Sequence, residues 1–596
     1  MSQASYTDLV DVLLKAVAEH GPRRLFGTKK GGTWVWTTYQ EFGRRVDDFR
    51  GGLKALGIKE GDTIAAIAGN RVEWAVAAYA AYGLGARFCP MYESQLESGW
   101  DYIVRDSGAR ILLVSTNAIF EKVKSWPGQI PTLEHVFSMA VPEEDSSSFA
   151  AVEALGRKNP SPPVQIDPEW VCGFIYTSGT TGKPKGVLLT HNNIVSNING
   201  VGSLFPIDHS DISVSFLPWA HSFGQTCELH WLITRGAATA IAESVEKLVD
   251  NFAEIRPTVL LAVPRIFNRI YDGLLKRMAA EGGLKKALFD AGMENEEKRK
   301  QLRRAGESSA LVELKHAFYD KLVFSKVRER FGGRLKYAVS GGAALSPEVA
   351  DFIDKLGIVV CEGYGLTETS PITSANFPDA RKIGSVGRPL PGVTVKIDQS
   401  VVDDKESGDG EIVVKGPNVM KGYHNLPAET AAVMTADGSF RTGDLGRFDA
   451  DGFLYITGRI KEQYKLENGK YVVPGPLEDE LQLSPYILQA FLDGSNKPYN
   501  VLLLVPDRAA VQGWAKDNGI NSNDYASLLE NPKVKQLISE QIDKFGTHFK
   551  SYEKPRRFKL IAEEFTVDNG MLTPKMSVKR KTVAERYAAE LAELHG

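Results

Sequence analysis

The segment Tyr176-Thr177-Ser178-Gly179-Thr180-Thr181-Gly182-Lys183-Pro184-Lys185-Gly186 constrains this chain more than any other. The apolar run Val171-Cys172-Gly173-Phe174-Ile175 precedes it and Val187-Leu188-Leu189-Thr190 follows it. Short apolar runs bounded by Gly and Pro read as buried strands, so the expectation is strand, loop, strand. Glycines let backbone N–H groups approach a ligand closely, the Ser and Thr hydroxyls add donors, and Lys183 and Lys185 add positive charge, a set that suits polyphosphate. The usual P-loop pattern does not apply, because it needs four residues between its glycines and Ser or Thr after the Lys. Here only two residues separate Gly179 from Gly182, and Pro184 follows Lys183, so no helix starts there in the same way. A plain surface loop is the competing reading of the same composition.

The chain has 596 residues, too many for one core, and its length suggests a few lobes. A net charge of -3 offers nothing global to nucleic acid or an acidic membrane surface. Cys89, Cys172, Cys227 and Cys361 are widely spaced, with no CxxC pair, and read as reduced core thiols of a cytosolic protein. The first 21 residues lack the order of a signal peptide, and the longest weakly polar stretch, Ala75 to Ala86, is too short to span a bilayer.

Helical and strand patterns alternate along the chain. Tyr39 to Leu56 is amphipathic, Thr63 to Ile67 reads as a strand, Arg71 to Tyr82 as a helix and Ile111 to Val114 as a buried strand. Ser147 to Pro163 reads as a Ser/Pro-containing linker, and 276–330, highly charged, as a solvated helical excursion without chemistry. The alternation predicts an α/β protein with doubly wound, mainly parallel sheets. Strands at Leu335–Ser340 and Gly357–Glu362 end in Gly341-Gly342 and Gly363-Tyr364-Gly365, and ligands of open α/β sheets sit at such strand ends. From about 385 to 458 short strands and turns, including an Asp451-Gly452 hairpin, predict a small β subdomain. Residues 459–596 form a separate unit of mixed pattern.

The loop at 176–186 resembles the phosphate loop of the adenylate-forming superfamily of acyl-CoA synthetases, peptide-synthetase adenylation domains and luciferases. Further blocks resemble that superfamily in the right order: Gly363-Tyr364-Gly365-Leu366-Thr367-Glu368, Arg441-Thr442-Gly443-Asp444, Gly458-Arg459-Ile460-Lys461, and Leu572-Thr573-Pro574-Lys575-Met576-Ser577-Val578-Lys579-Arg580. The resemblance implies a large lobe over 1–458, a smaller mobile α+β lobe over 459–596, and a hinge at Lys461. It implies that Thr177, Ser178, Gly179, Thr180, Thr181, Gly182, Lys183 and Lys185 hold the phosphates of ATP. It further places Gly342, Ala343, Glu362, Gly363, Tyr364 and Gly365 around the nucleotide, with Tyr364 stacked on adenine. Thr367 is implied at the α-phosphate, Glu368 and Thr180 at Mg²⁺, and Asp444 and Arg459 at the ribose. A hard cation wants carboxylate and phosphate oxygens, and an acceptor-only Asp suits two hydroxyls. The adenylation lysine matches Lys579, although Ser-Val-Lys departs from the commoner Ser-Gly-Lys and leaves Lys575 as a rival.

Three stretches resemble the long-chain fatty acyl-CoA synthetase branch: Val263-Pro264-Arg265-Ile266-Phe267, the 276–330 excursion, and Lys461 through Pro474. His221 and Phe223 then fall at an acyl gate, with Ser340 and Gly341 beside the acyl pocket; core packing is the competing reading for the first two. The implied substrates are a fatty acid, ATP and CoA, with Mg²⁺ as cofactor, in a cytoplasmic enzyme for which peripheral membrane contact and a homodimer stay open. A thiol on a carrier protein, an aryl or short-chain acid, and an inactive fatty-acid-binding protein are the alternatives. Ser340 between small residues also hints at a hydrolase elbow, but Ala338 stands where that motif has Gly.

Overall fold

Val171–Thr177 and Lys185–Thr190 pair antiparallel, Thr177 opposite Lys185, so the expected strand–loop–strand is present. The computed structural model describes residues 5–177, 183–402, 405–520, 522, 524–573 and 577–596. These two strands belong to a seven-stranded sheet in the order Gly422–Tyr423, Lys185–Thr190, Val171–Thr177, Arg87–Met91, Thr63–Ile67, Ala109–Val114, His135–Ser138. From Val171–Thr177 outward every pairing is parallel. The parallel strands read as continuous apolar runs because helices cover both faces; Thr63–Ile67 is buried at every position.

A second sheet runs Val259–Ala262, Tyr337–Ser340, Val359–Gly365, Ile372–Ala375, Arg388–Pro389, its first three strands parallel. A third runs Thr33–Thr38, Arg24–Lys30, Ala238–Ile241, Ile212–Ser215. Four further strands, Thr394–Asp398, Gly410–Lys415, Phe440–Phe448 and Leu454–Arg459, make a small sheet, with Gly452 at φ +77° in the turn before the last.

The helix Tyr39–Ala55 starts where its sequence says it should. Thr38 and Glu41 form a capping box, and the buried face carries Phe42, Val46, Phe49 and Leu53. The expected linker at Ser147–Pro163 is corrected: Phe149–Lys158 is a helix, capped by Ser148. Phe149 stacks on Phe49 with ring centroids 4.1 Å apart. The two helices touch backbone to backbone, since a Cβ on Gly156 would lie 1.6 Å from the Asp48 carbonyl oxygen. Glycine at a helix–helix contact looks, in sequence, like a loop residue.

The region 276–330 is helical, as expected, in Pro264–Glu281, Gly283–Arg304 and Ala310–Tyr319. Its inner side is packed, however, with Phe289 between Phe324 and Phe352, and Lys300 paired to Asp351 and Asp354 at 2.7 and 2.6 Å. The four cysteines are buried free thiols, and burial pushes Cys89 and Cys361 up to about 12.

The chain divides into two compact units, Met1–Val395 with Val413–Arg441 and Gly452–Leu454, and Lys396–Ile412 with Thr442–Asp451 and Tyr455–Gly596. In the second, Ile487–Asp493 pairs antiparallel and Pro555–Leu560 parallel with Asn500–Pro506. Phe491, Leu503, Phe565, Leu572 and Val583 pack into its core. Among the described residues no helix is long and apolar enough to cross a membrane.

Candidate active site

In the second sheet Ala262, Ser340 and Glu362 are register partners, so the turns after the three strands emerge along one sheet edge. Gly342 takes φ +86°, a conformation that strains any residue with a side chain. Beside it, a Cβ on Gly341 would meet the Phe223 ring at 3.2 Å, which puts Phe223, Ser340 and Gly341 together. His221 lies two residues before, its Nδ1 accepting from the Phe223 N–H at 3.2 Å. Ser340 Oγ is buried with no hydrogen-bond partner among the described residues, so no base is there to activate it as a hydrolase nucleophile.

Glu362 points inward and accepts the Leu345 N–H at 3.0 Å, which ties down the turn bearing Gly342 and Ala343. Burial pushes its carboxyl up to about 7.

The next strand end sets Thr367 and Glu368. Gly365 is needed there because a Cβ would lie 1.7 Å from the Pro371 carbonyl oxygen. The chain reverses tightly, with the Leu366 N–H donating to Pro371 O and Thr369 Oγ1 at 3.0 and 2.9 Å. That reversal brings Thr367 Oγ1 to 3.4 Å from Ser222 Oγ, next to the His221–Phe223 segment. It also brings Glu368 Oε1 to 2.9 Å from the Tyr423 hydroxyl, which donates to it. Tyr364, half-buried, pairs with Ser374 across the strands.

Tyr423 is the residue that sequence reasoning missed. It sits on the edge strand opposite Val187, just after the phosphate-loop segment. The Lys185 ammonium lies 5.2 Å from its ring centroid while also pairing with Glu429. Burial and the Glu368 charge push the Tyr423 phenol upward, which keeps it a donor. Tyr423 therefore bridges the end of the phosphate-loop segment and Glu368. Lys183 lies 5.2 Å from the Tyr102 ring centroid. Ser178, Gly179, Thr180, Thr181 and Gly182 lie outside the described residues, as does Lys575.

A second feature absent from the sequence reading is the π-helix Gly224–His230, directly after the His221–Phe223 segment. Such turns gather at functional sites. Its Glu228 is fully buried, with Oε2 accepting from Ser215 Oγ at 2.5 Å and Trp219 Nε1 at 3.3 Å. Burial pushes this carboxyl up to about 8. Asn70 fastens the same loop, donating to Leu217 O at 2.7 Å and accepting from the Trp219 N–H at 2.8 Å.

In the second unit Asp444 is buried, and Arg459 Nε lies 2.8 Å from its Oδ1, so these two predicted residues are partners. Thr442 Oγ1 receives the Asp444 N–H at 3.0 Å and donates to Ile412 O at 2.7 Å. Lys461 is exposed just past the strand Leu454–Arg459. Lys579 is exposed at the start of the helix Arg580–Arg586, its N–H donating to Met571 O at 2.8 Å. The neighbouring Arg580 grips buried Glu478 with Nη1 2.8 Å from both carboxylate oxygens.

Two family models match this chain, that of the AMP-binding enzymes over residues 14–424 and that of the AMP-binding enzyme C-terminal domain over 461–595. The chain belongs to the AMP-binding enzyme family. This AMP-binding enzyme is 33% identical to the long-chain-fatty-acid–CoA ligase FadD15 of Mycobacterium tuberculosis, over 95% of this chain and 93% of that one. It is 30% identical to the peroxisomal long chain acyl-CoA synthetase 7 of Arabidopsis thaliana, over 98% and 86%. Among solved structures, the adenylation domain of a carboxylate reductase from Mycobacterium chelonae matches with TM-score 0.76 and 24% identity, covering 98% of this chain and 91% of that one. ATP-bound MatB of Rhodopseudomonas palustris matches with TM-score 0.71 and 22% identity, over 98% and 99%. These structures share the fold.

Proposed function

We propose that this AMP-binding enzyme is a long-chain fatty acid–CoA ligase: it joins a fatty acid to ATP as acyl-AMP, releasing pyrophosphate, then transfers the acyl group to the thiol of CoA, releasing AMP. The relatives named above motivate the substrate, and the Lys185–Tyr423–Glu368 bridge is the observation that carries the reading. A carboxylate attacking a triphosphate brings like charges together, so catalysis depends on preorganised positive charge and donors around the α-phosphate. Lys183 and Lys185 flank the phosphate-loop segment, Thr367 is assigned to the α-phosphate, and Lys579 is assigned to the adenylation step.

Mg²⁺ fits the donor set. The Glu368 carboxylate, half-buried and oriented by Tyr423, suits an ion that completes its shell with phosphate oxygens and water, with Thr180 assigned beside it. Bound there, the ion would neutralise phosphate charge. Asp444, locked by Arg459 and Thr442, is assigned the ribose hydroxyls. His221 and Phe223 are assigned the acyl gate, with Ser340 and Gly341 beside the acyl pocket. Each buried methylene of a long chain contributes roughly 0.8 kcal/mol, so an apolar tunnel supplies ample affinity.

The test is ATP–pyrophosphate exchange with acetate, octanoate, palmitate, oleate and benzoate, followed by CoA consumption. Exchange that rises toward palmitate and oleate, and a CoA thioester as product, is expected. Exchange greatest with benzoate, or a product formed only on a carrier protein, would move the substrate assignment; no exchange with any acid would overturn the ligase reading.

A further inference from the structure

The helix Ala310–Tyr319, continued through Asp320–Phe324, exposes a run of large apolar side chains. Val312 and Phe324 face inward, while Leu311, Leu314, Phe318 and Leu322 are 61, 70, 53 and 40% exposed. At 3.6 residues per turn, positions 311, 314 and 318 fall within roughly 60° of one another, so they form one stripe. Lys315, Lys321 and Lys326 are exposed and flank that stripe, and among the described residues none of the three forms an ion pair. The acids of the same helix are engaged elsewhere: Glu313 with Arg299 at 2.9 Å, and Asp320 with Arg328 at 2.7 and 2.9 Å. The result is an apolar ridge with basic margins on a protein whose net charge is -3.

We infer that this ridge docks on an anionic phospholipid surface, its leucines and Phe318 entering the headgroup–acyl boundary and its lysines meeting the phosphates. Amphipathic helices that lie in a membrane interface have this arrangement, a narrow apolar face edged by Lys or Arg. A stable protein partner normally covers about 800 Å² on each side, more than a single-file ridge of four side chains offers. The docking surface stands without the ligase reading. Joined to it, docking would place the enzyme on the phase in which a long-chain acid dissolves.

The experiment is co-sedimentation of the full chain with vesicles of equal parts phosphatidylglycerol and phosphatidylcholine, and with vesicles of phosphatidylcholine alone. Preferential binding to the anionic vesicles is expected, weakening with salt. The double variant Leu314→Asp/Phe318→Asp should lose at least tenfold in partitioning. Lys315→Glu/Lys321→Glu should lose about fivefold or more for each lysine, with a flatter salt dependence. All variants change exposed residues, and pyrophosphate exchange with water-soluble octanoate, run on the same preparations, should match wild type; that separates failure of docking from failure of the ligase reading. Wild-type protein that stays in solution with both vesicles, or an aspartate variant that binds like wild type, would overturn the inference. So would a wild-type dimer in sedimentation velocity that the aspartate variant dissolves while vesicle binding is unchanged, since the occupant would then be a second copy.

Discussion

Replacing Glu228 by Gln should change how stability depends on pH while leaving the loop it supports in place. The carboxyl is buried, shares Oε2 between Ser215 and Trp219, and has its pKa raised from 4.5 to about 8. A raised pKa means the folded state holds the proton more tightly than the unfolded chain. Its contribution to stability is therefore complete below about 4.5, declines as pH rises, and is exhausted above about 8. One pH unit in that window is worth about 1.4 kcal/mol, so between pH 6 and 8 the wild type should lose roughly 2–3 kcal/mol that Glu228→Gln retains. For a cooperative unit of roughly 430 residues, at about 2.1 cal/mol/K per residue, that is a Tm difference of about 3 °C. Thermal unfolding of both proteins by tryptophan fluorescence at pH 6, 7 and 8 measures it. The Tm gap should move steadily in favour of the glutamine variant. A gap constant to within about 1 °C across the series would show that Glu228 is not held neutral, and the account of the π-helix would fail. Glu228→Ala should lower Tm at every pH, because it strands a buried hydroxyl and an indole N–H at about 1–3 kcal/mol each.

Lys579→Ala should abolish acyl-AMP formation while sparing thioester formation from supplied acyl-AMP; an unimpaired first step would pass the role to Lys575. Lys461→Pro should slow thioester formation more than adenylation, measured as separate half-reactions, and equal losses in both would refute a hinge there. Asp444→Asn should raise the KM for ATP at least tenfold with a smaller change in kcat; a kcat loss alone would remove Asp444 from the ribose. Glu478→Ala leaves the partly exposed Arg580 without its carboxylate partner, a loss of about 1.5–3 kcal/mol, and should appear as early melting of the second unit in calorimetry.

The strand–loop–strand at 171–190, the helix Tyr39–Ala55 and the parallel strands were legible in the sequence because their causes are local. The Thr38–Glu41 capping box, Gly punctuation and unbroken apolar runs each act within a few residues. The helix Phe149–Lys158 was not legible, since its stability comes from Gly156 meeting Asp48 and Phe149 meeting Phe49, pairings about a hundred positions away. Tyr423 fails for the same reason. Nothing near it in sequence marks a residue that joins Lys185 to Glu368, and only the pairing of Gly422–Tyr423 onto Leu188–Val187 makes the bridge.

Charge density misled in a different way. Between 276 and 330, alternating Lys, Arg, Asp and Glu read correctly as a helix with a solvated side, but periodicity cannot say which apolar residues face the core. Val312 and Leu311 are adjacent, and one is buried while the other is 61% exposed. Glu313 and Asp320 on that helix pair with Arg299 and Arg328, whereas among the described residues Lys315 and Lys321, beside Leu314 and Phe318, form no ion pair. A solvated helix chosen only for solubility would spread its leucines inward and its charges evenly outward. This one keeps positive charge and apolar surface together on the outer side, a combination that water alone does not favour and that a lipid interface does.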